Sequence, residues 1–316
     1  MSQVATNLVT THSPSGWLYN NHFGLQEAPF SLTPDTRFYF PHSSSQVALN
    51  TLAVAIRSGE GFTKITGEVG TGKTLLCRLL LDLLREDHIL AYIPNPYLEP
   101  MTLLLAIADE MGIPYPENIS QHQLLKTLTQ YIIEGYRWDK RTVVVCLDEA
   151  HAIPTETLEA LRLLSNLETQ QRKLIHLVLF GQPELNEKLN QPNLRQLKQR
   201  ISFSCTLDPI QDDDIRKYLE HRLQKAGYQG KLPFNSQAIR LLGRASGGTL
   251  RLLNILAHKA MISAYGSGSE KIKAKHVKLA IADTEALQNN NGNSSLPALM
   301  GTILTSVGTH LQRGQQ

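Results

Sequence analysis

At 316 residues, with 41% hydrophobic and 19% charged residues, the chain can bury one large core or two modest ones and has the composition of a folded, non-fibrous protein. Its formal net charge of +3 lacks the basic excess of a dedicated nucleic-acid binder. The three cysteines, Cys77, Cys146 and Cys205, sit in apolar runs without CxxC spacing, which argues against a disulfide framework or a zinc site and for a reducing compartment. The opening MSQVATNLVTTHSPSG has no basic patch followed by an apolar stretch, so it does not read as a secretory signal. No run reaches the ~18 apolar residues of a membrane span; the nearest, LLCRLLLDLL, carries Arg78 and Asp82. A cytoplasmic protein without a membrane span is the expectation.

Residues 1–20 read as a flexible leader. The segment HFGLQEAPFSLTPDTRFYFP is dense in aromatics and proline and reads as an ordered piece packed across a domain surface. Residues 45–56 read as a helix, 62–66 as a strand ending at a glycine loop, and 73–84 as a helix apolar on most faces. A strand at 89–93 and helices at about 101–112 and 120–135 follow. The run Val143–Leu147 is five apolar residues, which suits a strand buried on both faces of a parallel sheet. A helix over 155–168 and strands over 174–180 and 201–207 complete an alternating pattern. That pattern predicts an α/β layer structure with a mainly parallel five-stranded sheet. From Asp208 the text is helical only, at about 211–226, 235–245, 250–265 and 274–286. The expected domains are therefore 21–207 (α/β, including the aromatic segment) and 208–287 (a small all-helical lid). Residues 288–316 are read as an asparagine-rich hinge with an amphipathic C-terminal segment, Leu296 to Leu311 carrying one apolar stripe suited to a docking helix.

The stretch GEVGTGKT satisfies G-x-x-x-x-G-K-[ST], between an apolar strand and a helix. Gly67, Glu68, Val69, Gly70, Thr71, Gly72, Lys73, Thr74 and Leu75 form the expected phosphate cradle. The glycines free backbone N–H groups to wrap the phosphates, Lys73 reaches their outer oxygens, and the Thr74 hydroxyl ligates magnesium at the helix N-terminus. In VVVCLDEAH, Asp148 at a strand's carboxyl end is the second magnesium ligand, directly or through water. Glu149 polarises the attacking water, because hydrolysis needs an oriented nucleophile and a proton acceptor. Gln182, ending the strand LVLFGQ, is placed to touch the γ-phosphate or the lytic water. RQLKQRI puts arginines at the domain's edge, badly placed for their own nucleotide and well placed for a neighbour's; Arg200 is favoured over Arg195 as an arginine acting in trans. Arg251 opens a lid helix and is expected to read nucleotide state. The set calls for ATP and Mg²⁺.

These elements in this order resemble AAA+ ATPases. The pattern F-G-L-x-x-x-P-F-x-x-x-P-D, with GQPEL and LKQRI, resembles the general secretion pathway protein A family. Within it, AYIPNPYLEP, LEALRLLSNLET and RLLNILAHKA resemble the branch that serves mannose-sensitive haemagglutinin pili. The resemblance covers about 20–284. It implies magnesium-dependent ATP hydrolysis and nucleotide-bridged homo-oligomers. It also implies inner-membrane pilus-assembly proteins as partners, with peripheral placement at that membrane through them. Lys73, Thr74, Asp148, Glu149, Gln182, Arg200 and Arg251 stand at the matching positions. Two departures are expected to matter: Leu250 stands where relatives place proline before the lid arginine, and secretion-type relatives continue into a membrane span and a cell-wall-binding module.

Two other function classes are open to this chain. A DNA-associated AAA+ machine would lean on KIKAKHVK (271–278), where no aromatic residues interleave for base stacking. A slow nucleotide switch would need a missing catalytic carboxylate or trans arginine, and both are present.

Overall fold

The computed structural model describes residues 18–168 and 173–284, so the leader before residue 18 and the segment 288–316 lie outside it. The chain divides into two compact units, one of residues 41–208 and one joining the N-terminal segment through Phe40 to the residues from Pro209 onward.

In the first unit, strands β1 (Phe62–Gly67), β2 (His88–Ile93), β3 (Thr142–Leu147), β4 (Ile175–Gly181) and β5 (Ile201–Leu207) form one sheet in the order β2-β3-β4-β1-β5. Every pairing is parallel. β3 and β4 are the continuous apolar runs of the sequence, and all seven residues of β4 are buried. β5, at an edge, alternates half-buried Ile201, Phe203 and Cys205 with exposed Ser202, Ser204 and Thr206 and buries only Leu207, the period of a strand covered on one face. The flanking helices are Ser43–Arg57, Lys73–Leu84, Pro100–Glu110, Gln121–Asp139 and Thr155–Leu164, with short ones at Glu184–Leu189 and Arg195–Gln199. Their starts follow local chemistry. Pro100 occupies the first helical turn, and Ser120 with Gln123 closes a capping box.

The helix expected over 155–168 stops at Leu164. Ser165 turns its hydroxyl back to the Arg162 carbonyl at 2.7 Å, and Glu168 bridges to Lys173 ahead of β4. The helices of six and five residues escaped the sequence reading because neither completes two turns of apolar period.

The second unit contains helices Asn20–Phe23, Asp212–Lys225, Ser236–Ser246, Leu250–Gly266 and Ala274–Ala282. The aromatic and proline segment, grouped above with the α/β domain, packs here instead. Tyr19, Phe23, Phe30 and Phe38 are buried in one cluster with Ile215, Leu219, Leu253 and Leu256. The Arg222 guanidinium donates to the carbonyls of Pro29 (2.5 Å) and Ser31 (3.1 Å) and lies 4.5 Å from the Phe38 ring centroid. Apolar area and a cation over an aromatic face thus bind the segment to the helices. Among the described residues no helix is long and apolar enough to cross a membrane.

Candidate functional site

The site is built at the carboxyl ends of β1, β4 and β3, which the sheet order makes neighbours although the chain visits β2 between β1 and β3. Such a reversal opens a crevice beyond the strand ends where parallel sheets bind ligands. The loop from Gly67 to Gly72 leaves β1 through glycines that the backbone demands: Gly70 and Gly72 have φ of 83° and 100°. At Gly67 an added Cβ would come within 2.8 Å of Thr71 Oγ1 and 2.9 Å of the Leu207 carbonyl. Thr71 donates both its N–H and its hydroxyl to Glu68 O and so fixes the curl. Gly72, without a side chain, caps helix Lys73–Leu84, and the helix's first N–H groups and the positive end of its dipole lie at the loop.

Lys73 is 6% exposed. Its ammonium donates to the carbonyls of Gly67 (2.7 Å) and Glu68 (2.9 Å). Burial lowers its pKa, against the pull of Glu149, Asp148 and Glu68. A buried cation resting on two neutral carbonyls, inside a glycine cradle that a Cβ would fill, fits a phosphate chain. Thr74 donates its hydroxyl to Asp148 Oδ2 at 2.6 Å. This joins the two residues expected to hold magnesium, and hydroxyl and carboxylate oxygens are the hard donors that magnesium takes. Burial raises the Asp148 pKa, while the Thr74 hydroxyl and the Glu149 N–H (3.0 Å from Oδ1) pull it down. The Tyr92 hydroxyl reaches the same Oδ2 at 3.4 Å.

Glu149 adopts the left-handed region (φ 53°), one of two non-glycine residues with positive φ among the described ones. That backbone is strained for a side chain bearing a Cβ and re-aims the carboxylate away from the line of β3. Its Oε2 lies 3.4 Å from the Gln182 amide nitrogen. The expectation that Gln182 stands between the two motif strands is met by the sheet order, since β4 separates β3 from β1.

Arg200 follows helix Arg195–Gln199, and its guanidinium binds the Arg162 carbonyl (3.3 Å) and the Ser165 hydroxyl (2.9 Å). It therefore sits on the carbonyl end of helix Thr155–Leu164 of its own chain, a favourable place for a cation. Arg195 is exposed. Arg251 is exposed in the first turn of helix Leu250–Gly266, in the second unit. Thr249 takes the extended N-cap conformation and Leu250 begins the helix where a proline would have pre-set it. Just before it, Gly248 has φ 74°, and a Cβ there would fall 2.1 Å from the Ile210 carbonyl, which leaves room for glycine alone.

The sequence reading missed His151 and Lys188. His151 Nδ1 is 3.4 Å from Glu149 Oε2, and its Nε2 is 3.1 Å from the Gln182 amide nitrogen. Lys188 donates to the carbonyls of His151 (2.5 Å) and Ile153 (2.7 Å). The available signal was a histidine two residues past Glu149, which gains meaning only once the turn at Glu149 folds it back. Among the described residues no cluster of three or more histidine, cysteine or acidic side chains is placed to hold a metal by itself.

Residues 56–189 match the AAA domain family. Over 293 residues the chain is 39% identical to General secretion pathway protein A of Aeromonas hydrophila, covering 92% of this chain and 53% of that protein, so it spans about half of that relative's length. Among solved structures, Cdc6p from Pyrobaculum aerophilum superposes with a TM-score of 0.61 at 18% identity, over 80% of this chain and 70% of that one. The Aeropyrum pernix ORC1 protein, solved in complex with DNA, gives 0.60 at 20% identity, over 80% and 68%. The Thermotoga maritima RuvB Holliday junction branch migration motor gives 0.52 at 14% identity, over 84% and 80%. At these identities the three structures establish the P-loop AAA fold and nothing of the work done.

Proposed function

We propose, from an AAA domain over residues 56–189 and 39% identity to a general secretion pathway protein A, that this protein is a magnesium-dependent AAA+ ATPase serving membrane-bound machinery. One observation carries the reading: Lys73, the Thr74–Asp148 pair, Glu149 and Gln182 converge at the carboxyl ends of three adjacent strands.

The chain's own groups divide the work. N–H groups of the loop and the helix start take the phosphate oxygens. Lys73 exchanges its two carbonyl acceptors for the outer phosphates, a stronger partner for a buried cation. Thr74 and Asp148 would hold Mg²⁺, which supplies charge neutralisation on the phosphate oxygens. Glu149 orients a water and takes its proton while the water oxygen bonds to the terminal phosphorus and the bond to the departing ADP oxygen breaks. Gln182 donates to the terminal phosphoryl group or that water. Arg200 acts in trans in a homo-oligomer once it leaves the helix end it now caps, and Arg251 reads nucleotide state for the helical unit.

In the finer reading the machinery is a type IV pilus of the mannose-sensitive haemagglutinin type or a related secretion system. The protein is then cytoplasmic, held at the inner membrane by pilus-assembly partners. The test is a pull-down with Glu149→Gln, which should bind ATP and turn it over about 10²–10⁴-fold more slowly. Recovery of inner-membrane pilus-assembly proteins in ATP but not in ADP is the expected result. The second reading, a DNA-associated AAA+ ATPase, draws on Lys271, Lys273, Lys275 and Lys278, all exposed around the start of helix Ala274–Ala282. DNA recovered in place of membrane proteins, with steep salt dependence, would decide for it.

A further inference from the structure

The assigned chemistry needs Glu149 and Gln182 to address one phosphoryl group, and a single side chain outside both roles touches the two of them. His151 lies in the one-turn 3-10 helix Ala150–Ala152 that follows Glu149. Its Nδ1 stands 3.4 Å from Glu149 Oε2 and its Nε2 3.1 Å from the Gln182 amide nitrogen. That amide nitrogen is itself 3.4 Å from Glu149 Oε2, which closes a triangle of three polar groups.

Gln182 meets the ring at both nitrogens. Its main-chain N–H donates to Nδ1 at 3.4 Å and holds the ring at the end of β4. Its side-chain amide nitrogen stands against Nε2 and also reaches the Glu149 carboxylate. The ring is therefore fixed by one residue's backbone while it touches both that residue's amide and the carboxylate.

The surroundings hold this ring in place. Lys188, in helix Glu184–Leu189, clamps the carbonyls on either side of Ala152, at 2.5 Å from His151 O and 2.7 Å from Ile153 O. At Gly181 a Cβ would stand 3.3 Å from the His151 nitrogen, so the end of β4 and the turn pack backbone to backbone. The left-handed Glu149 can aim its carboxylate reproducibly only if the residues after it are anchored in this way.

We propose that His151 is a positioning residue that couples Gln182 to Glu149. When the amide shifts to meet the terminal phosphoryl group, the ring passes that shift to the carboxylate that takes the water's proton. The coupling rests on the assignment of Glu149 as base and Gln182 as phosphate sensor made above.

The test is steady-state ATP turnover by the full chain, with nucleotide Kd measured in parallel using a fluorescent ATP analogue. His151→Ala should lower kcat about 100-fold, the scale of a small misplacement of a catalytic group. KM and Kd should change less than about threefold, because binding and ground-state contacts are untouched. His151→Gln should recover part of kcat, since its amide still offers one donor and one acceptor. The double variant His151→Ala with Gln182→Ala should be no slower than the slower single variant, the signature of groups acting as a unit. Unimpaired kcat in His151→Ala, equal losses in kcat and nucleotide affinity, or losses that multiply in the double variant would each overturn the coupling. Full turnover in Glu149→Gln alone would overturn the base assignment and the coupling with it. An inactive Glu149→Gln beside an unimpaired His151→Ala would overturn the coupling alone.

Discussion

Lys73 in the α/β unit and Arg222 in the helical unit are both 6% exposed, and each gives its protons to two backbone carbonyls. Burial lowers the pKa of both. Their surroundings differ. Lys73 rests in a loop whose Val69 side chain is exposed, with Asp148 and Glu149 across from it, so its carbonyls can be exchanged for phosphate oxygens without opening a core. Arg222 is enclosed: its guanidinium lies over Phe38, and the chain it grips, Pro29 to Ser31, is part of the segment buried with the helices. Under the proposed function, one set of contacts thus serves ligand exchange in the first unit, while the same set gives permanent attachment in the second.

That contrast can be broken by removing each cation. Lys73→Ala should lower ATP turnover by about 10²–10³-fold, the usual cost of losing one preorganised charge donor, with little change in unfolding temperature. A variant that melts early and still turns over would make Lys73 a structural group and erase the contrast. Arg222→Met should do the reverse. It leaves the carbonyls of Pro29 and Ser31 without their donor and removes the cation from the Phe38 face, for a loss of about 3 kcal/mol in stability. Hydrogen exchange should then rise across residues 26–38 ahead of the helices Asp212–Lys225 and Leu250–Gly266. Unchanged protection there would mean that apolar burial alone holds the segment.

What could be read in advance follows the distance between the interacting residues. The cradle Gly67–Thr74 was legible because its chemistry is set by spacing within eight residues, and Asp148 and Glu149 because they end an apolar run that can only be an inner strand. Gln182 was legible for the same reason on the next strand. The N-terminal segment was misplaced because its anchor, Arg222, is 193 residues from Pro29, and an aromatic-rich stretch without period carries no address. The contacts of Arg200 were hidden likewise: nothing in RQLKQRI shows that helix Thr155–Leu164 ends early and turns the Arg162 carbonyl and Ser165 hydroxyl toward it. His151 was overlooked because its meaning depends on the positive φ of Glu149, which no residue pattern announces.

His258 and Asp148, one residue in each unit, also part in their response to acid, and here the expected effect is smallest. In the helical unit, His258 pairs its Nδ1 with the Tyr19 hydroxyl at 2.8 Å. Burial, helped by Lys259, holds its pKa near 4 against an ordinary 6.5. A base lowered in the fold is kept neutral there, so its contribution is full above pH 6.5 and is lost as pH falls from 6.5 through about 4, where the unfolded chain takes up the proton first. The full shift corresponds to roughly 3 kcal/mol, and the ring's partial exposure reduces this to about 2 kcal/mol. Asp148 in the α/β unit has the opposite sign. Its raised carboxyl takes a proton in the folded chain before the unfolded one, so its contribution grows as pH falls. Denaturant unfolding of the full chain at pH 7.5 and pH 5 should therefore show a loss on acidification that shrinks in His258→Gln, which keeps an acceptor for Tyr19. The loss should not vanish, because burial lowers His221, His276, His88 and His176 in the same direction. An acid slope that is the same in His258→Gln as in the parent chain would move the titration away from the Tyr19 contact and onto the other buried histidines of the two units.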